Sequence, residues 1–389
     1  MRRAIAYAER VRYCILILNP NPNTLTLTLQ LQPSHMVQGW TGETCGILDF
    51  APASKEAGFN ETSYSAWGFT MPGPMPYKDG KYYAVVAWIR DHIGIDDYQR
   101  GMGLVMAMSD TPEGPYTRMV SAINETQFAG PYTGNPGASY DEASDTYILY
   151  KQGCSGQPKD LSCGDVNAMW SSKPWGPWTH HGSVYNVTHV SNTWDEHVSN
   201  AVPFIEKNGR TWLMYRSHGY SNHSKHFGEY LGVAVAENWR GPFLKVGGAD
   251  GRPIIPEPNE DPFIWRDKVT GMFHALTHTE VTIPQPPALA PTGGGDMVDQ
   301  RPPLLGSTIG GRHIWSADGV SWHSTQMHLA LGEHVELDDG TSWTLKRRER
   351  PFILFEGDGS TPRVVFSGAE LESQAPRVFV LAQPIKGTA

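Results

Sequence analysis

The feature that most constrains the fold of this chain is an internal repeat of about sixty residues. Residues 101–116, 165–178 and 230–243 each combine an alternating strand of small apolar residues with a polar turn and a Gly-Pro-aromatic step. The prolines of these steps are separated by 62 and 65 residues. A Gly-Pro pair ends a strand and the aromatic residue after it begins the next. The repeat therefore predicts a unit built of short strands.

A second periodic pattern precedes the first. Three predicted strands begin with an aromatic residue, at 147–150, 212–215 and 273–276. The positions twelve residues before them are Asn135, Asn200 and Asp261. The position twelve residues before Tyr83 is Met71, and Arg350-Pro351-Phe352-Ile353 resembles Asp261-Pro262-Phe263-Ile264, so five units begin near residues 71, 135, 200, 261 and 350. A Pro/Gly-rich insertion at 283–305 lengthens the fourth unit, whose third strand is predicted at 313–322.

Five units of about four short strands each are typical of an all-β fold, the five-bladed β-propeller. Ring closure would remove the exposed sheet edges that invite aggregation. The composition agrees, because 41 Gly, 30 Pro and only 18% charged residues favour strands and tight turns over a helical bundle. We expect residues 368–389 or part of 40–65 to complete a blade by ring closure. The alternative is an irregular β-sandwich with coincidental spacing.

The first residues of the chain differ from the rest. The segment 19–31 reads NPNPNTLTLTLQL, which is what two reading frames of a repeated CCCTAA hexanucleotide encode. We therefore predict that residues 1–38 are disordered or a wrongly assigned start, and that residues 39–389 form the propeller domain. The alternative is a genuine edge strand at 24–31, where Thr and Leu alternate.

Charge and motif content limit the partners. The net charge is −9 and the longest basic run is 346–348, so the chain lacks the basic stripe that nucleic-acid binding requires. The sequence contains no run of 18 or more apolar residues, so no membrane span is predicted. A local disulfide between Cys154 and Cys163 is possible but not required. Glycosylation sequons favour a secreted glycoprotein, and they lie at Asn60, Asn124, Asn186 and Asn222.

The predicted propeller axis collects carboxylates. The first strand of each blade lines the axis, so the residues at its start converge on one shallow pocket. Glu260, Asp261 and Glu349 occupy such positions in two successive blades. Glycoside hydrolysis needs one protonated and one ionised carboxyl group, and neighbouring carboxylates push their pKa values apart. The alternative for each is an ion pair with a nearby arginine: Arg350, Arg348 or Arg266.

Histidines are concentrated in the same predicted blade. His274 and His278 are four residues apart on one strand and share a face, and His313 lies on the next strand. Such a group could orient sugar hydroxyls, donate a proton or hold a metal ion. No strict ligand spacing is present, so we assign no metal ligands, although a central ion such as calcium is possible. Ordinary half-buried strand histidines are the alternative.

Three segments resemble known propeller glycosidases. Residues 259–265, NEDPFIW, resemble the Asp-Pro inner-strand motif of glycoside hydrolase family 43, and residues 232–243, GVAVAENWRGPF, resemble its Gly-Pro-Trp signature. Residues 348–351, RERP, resemble the Glu-Arg-Pro segment of the invertase and levansucrase group. The resemblance covers roughly 65–368. It implies a cofactor-free propeller that cleaves O-glycosidic bonds in an oligo- or polysaccharide, with Asp261 orienting or stabilising the transition state and Glu349 as the acid.

The chain also departs from that pattern. The resembled families place a third carboxylate, the base or nucleophile, on an earlier inner strand, where this chain has Met71, Asn135 and Asn200. The candidates to replace it are Asp195, Glu196 and Asp49. We therefore predict as catalytic residues Asp261, Glu349, Glu260 and Asp195. The predicted substrate-binding residues are Asn135, Asn200, His274, His278, His313 and Arg350.

Two other functions remain open from the sequence. A non-catalytic carbohydrate-binding propeller would explain the missing third carboxylate. A lyase using His and Tyr on an acidic sugar is the third possibility. The clustered carboxylates and histidines favour the enzyme. Adjacent carboxylates at the axis repel one another and destabilise the fold, and a module that only binds sugar does not need such a pair.

Overall fold

The structure is a computed structural model, and nearly all of its regular elements are strands. It describes residues 38–42, 46–61, 64–89, 93–119, 133–153, 165–186, 194–195, 197–218, 229–247, 252–282, 307–324, 329–374 and 377–387. Several predictions fall outside these residues and stay predictions: those on the segment 1–37, the insertion 283–305, Glu196, Cys154 and Cys163. No helix among the described residues has the length and apolarity to cross a membrane.

Five four-stranded antiparallel sheets form the blades of the propeller. A short pair, β1 (Trp40–Thr41) and β2 (Ile47–Leu48), precedes them. Blade one contains β3 (Ser65–Thr70), β4 (Tyr82–Ile89), β5 (Met102–Ser109) and β6 (Thr117–Arg118). Blade two contains β7 (Thr133–Asp141), β8 (Thr146–Gly153), β9 (Asp165–Ser171) and β10 (Thr179–Asn186). Blade three contains β11 (His197–Ile205), β12 (Thr211–His218), β13 (Glu229–Ala236) and β14 (Leu244–Lys245).

The remaining two blades complete the ring. Blade four contains β15 (Glu260–Arg266), β16 (Phe273–Thr282), β17 (Ser307–Ser316) and β18 (Trp322–Ser324). Blade five contains β19 (His334–Glu336), β20 (Ser342–Phe355), β21 (Pro362–Leu371) and β22 (Val378–Pro384). The predicted third strand of the fourth unit is β17, and the all-β five-bladed propeller is confirmed.

The Gly-Pro-aromatic repeat marks the same place in three blades. It follows the third strand of blades one, two and three, and the peptide bonds before Pro115, Pro177 and Pro242 are all cis. The aromatic residues that follow, Tyr116, Trp178 and Phe243, are buried. The repeat is therefore a packing device that directs the chain into the fourth strand of each blade.

Both segments that were predicted to close the ring, 368–389 and part of 40–65, take part in its closure. The C-terminal strands β21 and β22 complete blade five, and the N-terminal segment bridges to β22 through Phe50 with Ile385 and Phe59 with Val380. The fully buried Arg348 stabilises this junction by donating to Gln383 and to the carbonyl of Gly332. Its guanidinium also lies over the ring of Phe50.

Apolar clusters between neighbouring blades hold the ring together. At the junction of blades five and one, the ring of Phe69 stacks on that of Phe366 with 4.0 Å between centroids. Aromatic pairs of this kind add about 0.5–1.5 kcal/mol beyond the area that they bury. The junction that closes the ring is therefore stabilised by apolar packing between blades, as the other junctions are.

Blade one corrects one sequence prediction. Its inner strand has its bulge between Ala66 and Phe69, so Trp67 and Gly68 occupy the axial position assigned to Met71. Met71 is buried in the core between blades five and one. The prediction was wrong because the connection between β3 and β4 is longer than in the other blades, which breaks the spacing of twelve residues.

Candidate active site

The inner strands of four blades share one backbone irregularity. Asn135, Asn200, Asp261 and Arg350 each sit at a register shift and adopt a left-handed φ, with values of 54, 51, 51 and 53°. This conformation is uncommon for residues other than glycine and is best tolerated by Asn and Asp. The four residues are therefore equivalent points of four blades, as the twelve-residue pattern predicted for Asn135, Asn200 and Asp261, and the likeness of 350–353 to 261–264 predicted for Arg350.

The bulges turn these four side chains towards one another at the axis. Asn135 donates through Nδ2 to Oδ1 of Asn200, and Asn200 donates through Nδ2 to Oδ1 of Asp261. Arg350 approaches the same Oδ1 of Asp261 with its Nη2 at 3.3 Å. Asn135 also donates to Oε1 of Gln152 at 2.7 Å. We call the four residues Asn135, Asn200, Asp261 and Arg350 the axial relay.

Blade one contributes space rather than a polar group to this relay. A Cβ added to Gly68 would lie 2.9 Å from Cδ of Arg350. The side chain of Arg350 therefore extends into the position that blade one leaves open. Trp67, which is 1% exposed, packs instead against Gly368, where an added Cβ would lie 2.9 Å from the indole.

A second layer of polar side chains lies one residue before each bulge and on the strand that pairs with it. Glu260 pairs with His278, Ser199 with Arg216 and Gly134 with Gln152. The sequence analysis missed Arg216 and Gln152. A signal was present, since both follow an aromatic strand leader by four or five residues, as His278 does.

Glu260 is held as an anion by two cationic neighbours. Its Oε1 lies 3.0 Å from Nδ1 of His278, and its Oε2 accepts from Nη1 of Arg216 at 2.8 Å. Burial alone would raise its pKa, but the bond from His278 and the charge of Arg216 bring the pKa well below its usual range. Burial lowers the pKa of His278, yet Glu260 and the charge of Glu349 raise it to about 9. The pair is therefore a carboxylate and an imidazolium at neutral pH.

Glu349 has the opposite charge preference. Burial raises its pKa to about 7, with the nearby Asp261 and Glu260 acting in the same direction against His278 and Arg350. Burial also raises the pKa of Asp261, partly offset by Arg350. One oxygen of each carboxylate and one nitrogen of His278 lie within 4.8 Å of one another. The predicted cluster of Glu260, Asp261, His278 and Glu349 thus brings a protonatable carboxyl group beside an ionised one.

A fourth carboxylate, Glu229, adjoins this cluster and was not found from the sequence. It begins β13 and lies 3.2 Å from Nη1 of Arg216, with 42% of its side chain exposed. Burial and the charge of Glu260 raise its pKa to about 7. No sequence pattern marked it, because only the pairing of β12 with β13 brings it beside the axis.

Three predicted site residues lie elsewhere. Asp195 is 1% exposed and pairs at 2.6 Å with Lys245 on the outermost strand of blade three, so the structure does not bring this carboxylate into the cluster. His274 and His313 stack on each other, 3.0 Å apart at Nδ1 and Nε2, beside Trp265. Burial lowers the pKa of His274 to about 4 and that of His313 well below its usual range.

The reasons for these corrections are geometric. His274 pairs with Trp265 at the end of β15 that is remote from Glu260, although it shares a strand face with His278. Asp195 is close in sequence to Asn200 but precedes the inner strand. Asp49 pairs with Lys386 at 3.1 Å, in the segment that closes the ring.

The cluster offers ligand atoms for a metal ion, so its fit to one can be tested. Three carboxylates are hard oxygen donors of the kind that calcium prefers. A protonated imidazole cannot coordinate, however, because a metal requires the neutral form. Arg216 and Arg350 already compensate Glu260 and Asp261. A metal ion held by Glu260, Asp261, His278 and Glu349 would therefore have to replace the proton of His278 and compete with both arginines for the carboxylates.

Comparison with known proteins finds structural likeness without sequence likeness. No protein-family model and no curated protein matches this chain. The catalytic domain of the GH62 α-L-arabinofuranosidase of Coprinopsis cinerea superposes with a TM-score of 0.58 at 12% identity, covering 88% of this chain and 98% of that one. The family 117 glycoside hydrolase Zg3597 of Zobellia galactanivorans gives 0.52 at 15% identity, covering 87% and 90%. A thermostable family-43 glycoside hydrolase gives 0.51 at 12% identity, covering 87% and 96%. The chain therefore has the fold of propeller glycoside hydrolases.

Proposed function

We propose that this protein is a glycoside hydrolase whose general acid is Glu349. The observation that supports it is the pairing of charge states at the axis. Glu349, with a pKa raised to about 7, lies in one cluster with Glu260, whose pKa is well below its usual range. Two carboxyl groups with separated pKa values are what hydrolysis of a glycosidic bond requires.

Each residue then has a defined task. Glu349 gives its proton to the oxygen of the leaving group as the glycosidic bond breaks, water adds its oxygen to the anomeric carbon, and the proton that this water loses restores the protonated Glu349. The ionised Glu260 stabilises the positive charge that develops on the sugar ring, and His278 with Arg216 keeps it ionised. Asp261 acts as an orienting carboxylate, because Asn200 and Arg350 fix its Oδ1.

The substrate proposed is a glycan. Among proteins of similar fold is an α-L-arabinofuranosidase of Podospora anserina in complex with cellotriose, at 10% identity and a TM-score of 0.53. A structural likeness at this low sequence identity supports glycans as the class of substrate, but no particular sugar. Secretion, proposed from the sequons, would give such an enzyme access to extracellular polysaccharide.

The test is turnover on a panel of aryl glycosides and of plant and algal polysaccharides, with the full chain beside Glu349→Gln and Asp261→Asn. Glu356→Gln is the matched control, because it makes the same change directly after the C-terminal end of β20, where Glu356 pairs with Arg363. Turnover lost in both site variants and kept in the control, at unchanged melting temperatures, would establish the hydrolase.

A non-catalytic carbohydrate-binding propeller is the second candidate. It is favoured by blade one, where Trp67 and Gly68 replace an acidic side chain, and by the arginines that neutralise Glu260 and Asp261. Absence of turnover on every substrate, together with glycan binding that survives in Glu349→Gln, would support this function instead.

A further inference from the structure

Each polar atom of the Asn200 side chain has a partner in the axial relay. Its Oδ1 accepts from Asn135 and its Nδ2 donates to Asp261. The amide keeps a second N–H and a second lone pair, but the residue is only 3% exposed. These bonds therefore connect Asn200 to its neighbours in the relay rather than to a sugar.

The surroundings of the relay point the same way. Below it, on the side reached by the residues that follow each bulge, lies an apolar chamber lined by Phe69, Pro136, Pro203, Pro262, Phe263 and Phe352. The charged layer with Glu260, His278 and Glu349 lies on the side of the residues that precede the bulges. The relay therefore lies between the apolar chamber and the charged side chains. Its two amides, of Asn135 and Asn200, face each other at the axis.

We propose that Asn200 is a positioning residue that holds the carboxylate of Asp261 in place and in its ionised form, with Asn135 orienting the Asn200 amide in turn. This inference rests on the proposed function for its catalytic meaning, since Asp261 is one of the proposed site carboxylates. The physical basis is direct donation, because an amide N–H that bonds to a carboxylate favours the charged form.

The charged groups around Asn200 and Asp261 come from five strands. They are Arg216 on β12, Glu229 on β13, Glu260 on β15, His278 on β16, and Glu349 with Arg350 on β20. These cations and anions nearly balance. No large excess of positive or negative side chains is therefore present to compensate a new charge at Asn200. We expect such a charge to shift the protonation of Asp261 and Glu349.

The test replaces Asn200 by Asp, which keeps the shape and the tolerance of a left-handed φ. The new carboxylate faces Asp261 and raises the pKa of the pair, so the folded state binds more protons than the unfolded chain. Stability is then retained at low pH and lost as pH rises through the raised pKa. We expect the melting temperature of Asn200→Asp to fall about 4 °C further below the parent at about pH 8 than at about pH 5.

Two companion variants keep the test interpretable. Asn208→Asp makes the same exchange at an exposed turn, where Oδ1 accepts from the backbone of Arg210 and a carboxylate can do the same. It should show no such pH-dependent loss. Asn200→Gly removes the amide without backbone strain, and should lower turnover about tenfold or more with a smaller pH dependence of melting than Asn200→Asp.

Kinetics supply the second readout. The extra negative charge should move the alkaline limb of kcat/KM in Asn200→Asp upwards by about one pH unit, because it raises the pKa of Glu349. A merely structural role would leave that limb in place. An equal loss of melting temperature at both pH values, or an unmoved limb in an active variant, would overturn the proposal. If the parent turns nothing over, the hydrolase fails, and the melting curves still decide the relay.

Discussion

The two ends of the pairing between β15 and β16 place the same residue type in opposite environments. His278 lies at the axial end against Glu260, with a pKa raised to about 9, whereas His274 lies at the other end against His313 and Trp265, with a pKa lowered to about 4. Four strand residues separate them by only about 13 Å. The comparison teaches that a shared strand face does not make a shared site, because the charge of each imidazole depends on what the neighbouring strands bring to it.

The largest expected difference is catalytic. His278→Ala should reduce kcat/KM of the proposed hydrolase about 100-fold or more, because Glu260 loses the bond that keeps it ionised and oriented. His274→Ala should change kcat/KM by less than about threefold, since it contacts the far end of the blade. Steady-state kinetics on any substrate found in the screen measure both. Equal losses would show that the two ends are not functionally distinct.

The next difference is in stability. Glu260→Gln removes the anion that pairs with His278 and one of the two anions that pair with Arg216, and we expect the free energy of unfolding at neutral pH to fall by about 3 kcal/mol. Glu206→Gln serves as the control, because its cation Arg266 is 41% exposed and the amide oxygen can still accept from Trp212, so the change should cost under about 1 kcal/mol. Denaturant unfolding measures both values. A larger loss in the control would contradict the assignment of a buried ion cluster to the axial end.

The two histidines should also give stability opposite dependences on pH. The folded pKa of His278 is raised, so its contribution is complete below its unfolded pKa of about 6.5 and is lost as pH rises through about 9. The folded pKa of His274 is lowered, so its contribution is complete above about 6.5 and is lost as pH falls towards about 4.

Melting curves across pH for His278→Gln and His274→Gln separate these windows. The first variant should lose the alkaline decline that His278 causes, and the second the acidic one. Glu349 adds to the alkaline decline in both proteins, because its folded pKa is also raised, to about 7. The opposite pH dependences would be contradicted if His274→Gln changed the alkaline decline of the melting temperature, or if His278→Gln changed only the acidic decline.

The smallest expected effect belongs to Glu229. This side chain is 42% exposed and neighbours the axial cluster only through Arg216 and Glu260. Glu229→Gln should change the free energy of unfolding by less than about 0.5 kcal/mol, as surface substitutions usually do. Its effect should be confined to a small displacement of the alkaline limb of kcat/KM. A loss of activity as large as that of Glu349→Gln would instead make Glu229 the missing third carboxylate.

The sequence predicted the blades because their signals are local. The Gly-Pro-aromatic steps and the twelve-residue spacing each lie within one repeat, so they could be read without knowing the partners of any strand. The spacing failed in blade one, where the longer connection after β3 moved the axial position from Met71 to Trp67 and Gly68. It succeeded for Asn135, Asn200 and Asp261, and the likeness of 350–353 to 261–264 located Arg350, whose left-handed φ is shared by all four.

The site was predictable only in part, for a reason that its missed members share. Arg216, Gln152 and Glu229 reach the axial layer through strand pairing. Asp195 illustrates the converse, since its nearness in sequence to Asn200 suggested the axis, while its partner Lys245 lies on an outer strand.

The sequence by itself determined the five units, their four-strand composition and the places where polar residues reach the axis, because these follow from local periodicity and turn chemistry. The tertiary structure alone decided which of these groups are charged. The pKa values of Glu260, Glu349, His278 and His274 depend on burial and on neighbours from other strands and blades. Electrostatic interactions act through space and strengthen as water is excluded, so no reading along the chain can supply them.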